Sequence, residues 1–150
     1  MDNNDWIDQY KQFHADQNTN YPGNNLKPQL QHILDLIKDM KPETLLDFGC
    51  GKGQQYSKWK HHKDMGIMPT LYDPAVPEFE TLPDGPFDGI ISTDVLEHIP
   101  EEQIPETINM ITKRADKFVF LAIATSPAIA ILPNGENAHC TRKPISWWTE

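Results

Sequence analysis

The stretch Leu45-Leu46-Asp47-Phe48-Gly49-Cys50-Gly51-Lys52-Gly53 limits the possible folds more than any other part of the chain. Residues 44–48 are apolar apart from one acid, which reads as a strand buried on both faces. The alternate glycines that follow let the backbone turn sharply and come close to a ligand. Residues 54–62 then read as a helix whose first N–H groups face that ligand. Strand, glycine turn and helix make half of a nucleotide-type binding site.

The segments on either side extend this into an α/β pattern. Residues 1–25 are polar, but Trp6, Ile7, Tyr10 and Phe13 give one helical face an apolar character, so a short helix docking as a flap is expected. Tyr21-Pro22-Gly23-Asn24-Asn25 is a turn signal. Pro28 suits the first turn of a second helix, in which Leu30, Ile33, Leu34 and Ile37 share a face and which Pro42 ends. Pro69-Thr70-Leu71-Tyr72-Asp73 reads as a second strand, and the proline-rich residues 75–86 as a loop. Residues 87–93 form a third strand, with a loop or helical turn over 94–99. Residues 101–115 form a helix with Ile104, Ile108 and Ile111 on one face, and 117–125 a fourth strand. Residues 131–140 are turn-rich and follow a strand's carboxyl end, which makes them a candidate wall of a site. Trp147 and Trp148 begin a last helical turn as core or interface anchors.

This order predicts a Rossmann-like three-layer sandwich around a reduced, mostly parallel sheet, in one domain of 150 residues. The flap occupies 1–25 and the core 26–150. A basic leader and a long apolar run are both lacking, so a cytoplasmic protein without membrane contact is expected. Two cysteines, one inside the glycine turn, fit a reducing compartment. The net charge of −9 disfavours a broad grip on nucleic acid and leaves a small molecule, or a protein, as the expected partner.

Three cofactor classes compete for the glycine turn. A phosphate-cradling loop needs Ser or Thr after its Lys, and Lys52 is followed by Gly53. A dinucleotide fingerprint needs G-x-G-x-x-G, whereas here the pattern is G-x-G-x-G, with Asp47 close to where pyrophosphate would lie. A cofactor carrying positive charge suits Asp47 better, and Asp73 lies 20 residues beyond Gly53, about where a ribose wants a carboxylate.

Leu46-Asp47-Phe48-Gly49-Cys50-Gly51-Lys52-Gly53 resembles the first motif of class I S-adenosylmethionine-dependent methyltransferases. Asp73 matches that family's ribose-binding acid, and residues 87–99, ending in Asp94-Val95-Leu96-Glu97-His98-Ile99, resemble its fourth-strand signature. Residues 51–56 and 132–139 resemble a small bacterial and phage subgroup. The resemblance implies S-adenosylmethionine as cofactor and S-adenosylhomocysteine as product. The glycine backbone would hold the methionine moiety, Asp47 would support its ammonium directly or through water, and Asp73 would hold the ribose, while Asp94 and Val95 line the methionine and adenine. Phe48, Gly49, Cys50, Gly51, Gly53, Tyr56 and Pro74 complete the cofactor set.

Against the family's pattern, a helix and strand are missing between Asp73 and residue 87, leaving Leu82 and its neighbours as apolar candidates for adenine. The usual terminal hairpin is also missing, as in a minimal or truncated version, and the sheet edge it would leave invites pairing with a second copy. Two rival readings are a non-catalytic cofactor-binding module and a nicotinamide-dependent oxidoreductase.

Of the six histidines, His139, His98 and His14 are the candidate bases, in that order. His61 and His62 are expected to be solvated or dipole-complementing near a helix end, and His32 to lie on a polar face. Cys50 is expected to be a buried filler. The spacing of His, Cys and acids matches no finger or zincin pattern, so no metal site is expected.

Overall fold

The computed structural model describes residues 5–16 and 26–150, so the turn signal at Tyr21 to Asn25 lies outside the described residues. Helix α1 is Asp5–Ala15 and α2 is Leu30–Met40. Strand β1, Leu45–Phe48, is followed by two short helices, α3 (Gln54–Ser57) and α4 (His61–Met65), and then by β2, Thr70–Tyr72. Strand β3 is Phe87–Thr93, α5 is Ile104–Thr112, β4 is Ala115–Ala122 and α6 is Ile145–Trp148. All four strands are parallel, in the order β2-β1-β3-β4.

Alternation along the strands builds the layers. Leu46, Phe48 and Ile90 join one buried cluster with Leu96, Ile104 and Ile111, and Trp6, Trp147 and Trp148 pack against it. Leu45 and Ile91, one residue out of step, face the other way and meet Ile33, Tyr56 and Met65, with Leu30, Leu34 and Ile37 of α2 beside them. Each face is therefore covered by helices, as a parallel sheet requires. A register shift between Phe87 and Gly89 lets Phe87 share a face with Ile90, three residues on.

Several local expectations are corrected. The helix foreseen over 54–62 is broken in two, because Lys60 adopts a left-handed conformation (φ 59°) ahead of α4. His61 consequently opens α4 and is buried rather than solvated, while His62 is half-buried. The helix foreseen over 101–115 begins as a 3-10 turn, Glu101–Gln103, and ends at Thr112, so Ala115 already belongs to β4. Residues 75–86 hold only a 3-10 turn, Pro77–Phe79, and no strand.

The chain runs from β1 outward to β2 and then back across to β3, so the connections diverge at the carboxyl ends of β1 and β3. A crevice forms at such a switch point. Behind it, Asp47 of β1 is wholly buried, and its Oδ2 accepts bonds from Tyr56 Oη at 2.7 Å and Gln55 Nε2 at 3.0 Å. Its Oδ1 has no partner among the described residues. These bonds tie α3 to the strand. Burial outweighs them and pushes the Asp47 carboxyl up to about 6.

Two predictions follow from these contacts. A Cβ at Gly89 would meet Leu45 Cδ2 at 2.7 Å and run into the Phe118 ring. Gly89→Ala should therefore cost about 1–3 kcal/mol in urea denaturation. The raised Asp47 pKa means that the folded state keeps this proton to higher pH than the unfolded chain does, so its contribution declines as pH rises from 3.8 to about 6. Asp47→Asn cannot titrate, and between pH 4 and pH 7 it should gain on the order of 3 kcal/mol relative to wild type. A pH-independent difference between the two proteins would refute this.

Candidate functional site

A cavity of about 280 Å³ lies at the carboxyl ends of β1, β2 and β3. Its floor is the glycine turn and the residue that clamps it. Gly49 and Cys50 donate their N–H groups to Tyr72 O at 2.7 and 3.0 Å, and Gly51 donates to Asp73 Oδ2 at 2.8 Å. Gly53 donates to Cys50 O at 3.1 Å. These turn amides are engaged within the protein, so the turn is not a phosphate cradle. Gly49 has φ +87°, and a Cβ there would meet Val95 Cγ1 at 2.8 Å, so only glycine allows the turn and β3's end to approach this closely.

Asp73 stands just past β2. Its Oδ1 accepts the Ala75 N–H at 2.9 Å, which with the Gly51 bond fixes the carboxylate on the cavity wall. Asp94, at φ 55°, and Val95 form the wall beyond β3. The other side is one face of α5 and the turn before it: Gln103, Glu106, Thr107 and Met110. Helix α1 is the roof, contributing Trp6, Ile7, Tyr10 and His14. It is latched by Trp6 Nε1 to Gln103 Oε1 at 2.9 Å and by Tyr10 Oη to Ala138 O at 2.5 Å.

Of the cofactor residues foreseen from sequence, Phe48, Gly49, Gly51, Asp73, Pro74, Asp94 and Val95 line this cavity. Asp47 does not, because it faces Tyr56 and Gln55 inside the protein. Tyr56, Cys50 and Gly53 also lie outside the lining. Cys50 is fully buried, which raises its thiol pKa and makes it a poor nucleophile. Leu82, an apolar candidate for adenine, packs on the core cluster around Phe48 instead of lining the cavity.

Of the three histidines, His14 and His98 line the cavity, and His139 lies beside His98 with ring centroids 4.7 Å apart. Burial lowers the pKa of His14, against the pull of Asp73. Burial likewise pushes His98 down to about 4, so it is neutral at physiological pH. Asp73 and Asp94 are both raised by burial, and backbone N–H bonds moderate Asp73. No Lys or Arg is among the residues lining the cavity.

Sequence reading missed the α5 wall. Gln103, Glu106, Thr107 and Met110 follow i, i+3, i+4, i+7, the same periodicity that marks the core face. Their mixed polarity resembles a solvated face, and only the roof of α1 turns it into a cavity wall.

No helix among the described residues is long and apolar enough to cross a membrane. No curated protein and no solved structure matches the chain. A family model described as "Methyltransferase domain" matches residues 23–140, a span that includes the whole sheet, the glycine turn, Asp73 and the strand-end residues Asp94 and Val95. With a four-stranded parallel sheet covered by helices on both faces, the chain belongs to the class I methyltransferase family.

Proposed function

We propose that the chain transfers a methyl group from S-adenosylmethionine, bound over the glycine turn, to a small acceptor held between α1 and α5. The observation that carries this reading is the charge of the cavity. The ionisable groups on its wall include the acids Asp73, Asp94 and Glu106 and no Lys or Arg, and the N–H groups of Gly49, Cys50, Gly51 and Gly53 are engaged. That setting repels pyrophosphate and suits a ligand with an ammonium and a sulfonium. On this reading Asp73 takes the ribose hydroxyls, and each of its carboxylate oxygens keeps a lone pair beyond its backbone bond. Asp47 acts from behind as the brace of the turn.

Methyl transfer from a sulfonium is an in-line displacement, so the residues' main work is positioning. The acceptor atom has to lie about 3 Å from the methyl carbon, opposite sulfur. A roofed, largely apolar cavity also favours dispersal of the donor's positive charge. For an acceptor that must lose a proton, His14 is the base this reading favours, being on the cavity wall with its pKa lowered by burial.

One observation favours a second reading, a module that holds the cofactor without using it. The segment between β2 and β3 carries only a 3-10 turn where the adenine side of a site would be built. Product formation across a panel of small acceptors, followed by mass spectrometry, separates the two.

On the first reading, calorimetry should give micromolar binding of S-adenosylhomocysteine to the wild-type chain, and Asp73→Asn should weaken it about 10- to 100-fold, roughly 1.4–2.7 kcal/mol. Absence of any heat with folded wild-type protein would sink the cofactor assignment. Tighter binding of NADH than of S-adenosylhomocysteine would replace it with an oxidoreductase.

A further inference from the structure

The 3-10 turn Leu96–His98 carries Glu97 and His98 at the mouth of β3, and the loop after β4 brings His139 against them. One ligand atom from each of the three lies within 4.8 Å of the other two. The hydrogen bonds around them leave this cluster with acceptors and no donor. His98 Nδ1 is 2.8 Å from Ala138 O, and His139 Nδ1 is 2.6 Å from Ser126 O. A carbonyl oxygen can only accept, so His139 Nδ1 carries its ring's proton; with the Tyr10 hydroxyl, 2.8 Å from His98 Nδ1, donating to Ala138 O, His98 Nδ1 carries its proton too, and each neutral ring keeps a lone pair on Nε2. Glu97 is fully buried. Its Oε1 accepts the Ala124 N–H at 3.0 Å, while its Oε2 has no hydrogen-bond partner among the described residues.

A buried carboxylate oxygen without a donor costs about 1–3 kcal/mol or more. A neutral imidazole bonded through Nδ1–H in this way has no second proton to give it. Two imidazole nitrogens and a carboxylate oxygen converging in this way are instead matched to a cation. The outer arrangement also fits one, since histidines that bind metals donate their second ring N–H to backbone carbonyls or carboxylates. Sequence spacing hid the set because His139 is far from Glu97 and His98 in the chain and reaches them only through the fold.

We propose that Glu97, His98 and His139 are three ligands of a divalent metal ion. A set with two nitrogens, one oxygen and no thiolate suits Zn²⁺, Mn²⁺, Co²⁺ or Fe²⁺. At metal–ligand distances of about 2.1 Å, neighbouring donors stand roughly 3 to 4 Å apart, so small side-chain rotations close the set. Three protein ligands leave further coordination positions open, as in reactive sites. His98 is shared with the cavity wall, so an ion held by this set would border the cavity.

The ion's role rests on the methyltransferase reading above: it seats an oxygen of the acceptor and makes a hydroxyl there more acidic. The hydroxyl's proton passes to water or to His14. The oxygen forms a bond to the methyl carbon as the carbon–sulfur bond breaks, and that bond's electron pair returns to sulfur, leaving a neutral thioether.

The test uses the full chain stripped of metal by chelation and then titrated separately with Zn²⁺, Mn²⁺ and Co²⁺, without adenosyl ligand. One ion per chain is expected, with Co²⁺ giving visible absorption of nitrogen and oxygen ligation. Glu97→Gln and His139→Ala should each weaken uptake at least tenfold while retaining wild-type circular dichroism, and His32→Ala, exposed on α2, should not. Folded wild-type protein that takes up none of the three ions, or equal affinity in both site variants and wild type, overturns the proposal. S-adenosylhomocysteine binding is measured on the same samples. Metal uptake without adenosyl binding upholds the metal site and removes only its assigned role, whereas adenosyl binding without metal uptake removes the metal site alone.

Discussion

The end of β2 holds the glycine turn in place, and the cavity depends on that clamp. Tyr72 O takes two N–H groups of the turn and Asp73 takes a third, so the loop after β1 is hydrogen-bonded to the strand beside it. Asp47 supports the same turn from inside through Tyr56 and Gln55. Two buried acids therefore stabilise one short stretch of backbone from opposite sides. The clamp also decides which ligands the turn suits. Amides bonded to β2 are not available to an anion, and the carboxylate that bonds them carries negative charge on the cavity wall instead.

The sheet places the remaining groups by register. Leu46 pairs with both Thr70 and Ile90, so the carboxyl ends of β1, β2 and β3 finish close together and their following residues meet. Asp73 and Asp94 come from strands on either side of β1. Gly89 has a different duty from the glycines of the turn: it leaves room for the Phe118 ring and Leu45 in the layer beneath, far from the chemistry.

The sheet core was largely legible in the sequence because its signals are local. Apolar runs bounded by glycine and proline mark β1 and β3, and the spacing of Leu30, Ile33, Leu34 and Ile37 marks α2. The break at Lys60 was not legible, since a lysine in a left-handed conformation leaves no compositional trace. Ala115 was assigned to a helix because nothing in residues 113–116 distinguishes a helix end from a strand start, and pairing with Phe87 decides it. In the site, residues within a few positions of the glycine turn or a strand end were foreseen. The α5 wall and the meeting of His139 with Glu97 were not, because both depend on contacts between distant segments. Asp47 shows the opposite case. Its position in the motif suggested support for the ligand, and Gln55 and Tyr56, eight and nine residues on, take one oxygen of its carboxylate.

Helix α1 gives the cavity a door. A ligand that extends across the space between Asp94 and α5 has to pass where Trp6 and Tyr10 now make their hydrogen bonds, each contributing a net of about 0.5–1.5 kcal/mol. Lifting the helix breaks these bonds and the Asn134 N–H bond to Gln9 Oε1, and it exposes Tyr10 and Phe13, both buried, so the door is held by packing as well as by hydrogen bonds. Tyr10 Oη also lies 2.8 Å from His98 Nδ1, so the roof and that imidazole share a contact that any movement of α1 would change. For the proposed enzyme, a roof that must lift to exchange ligands can limit turnover independently of the bond-making step.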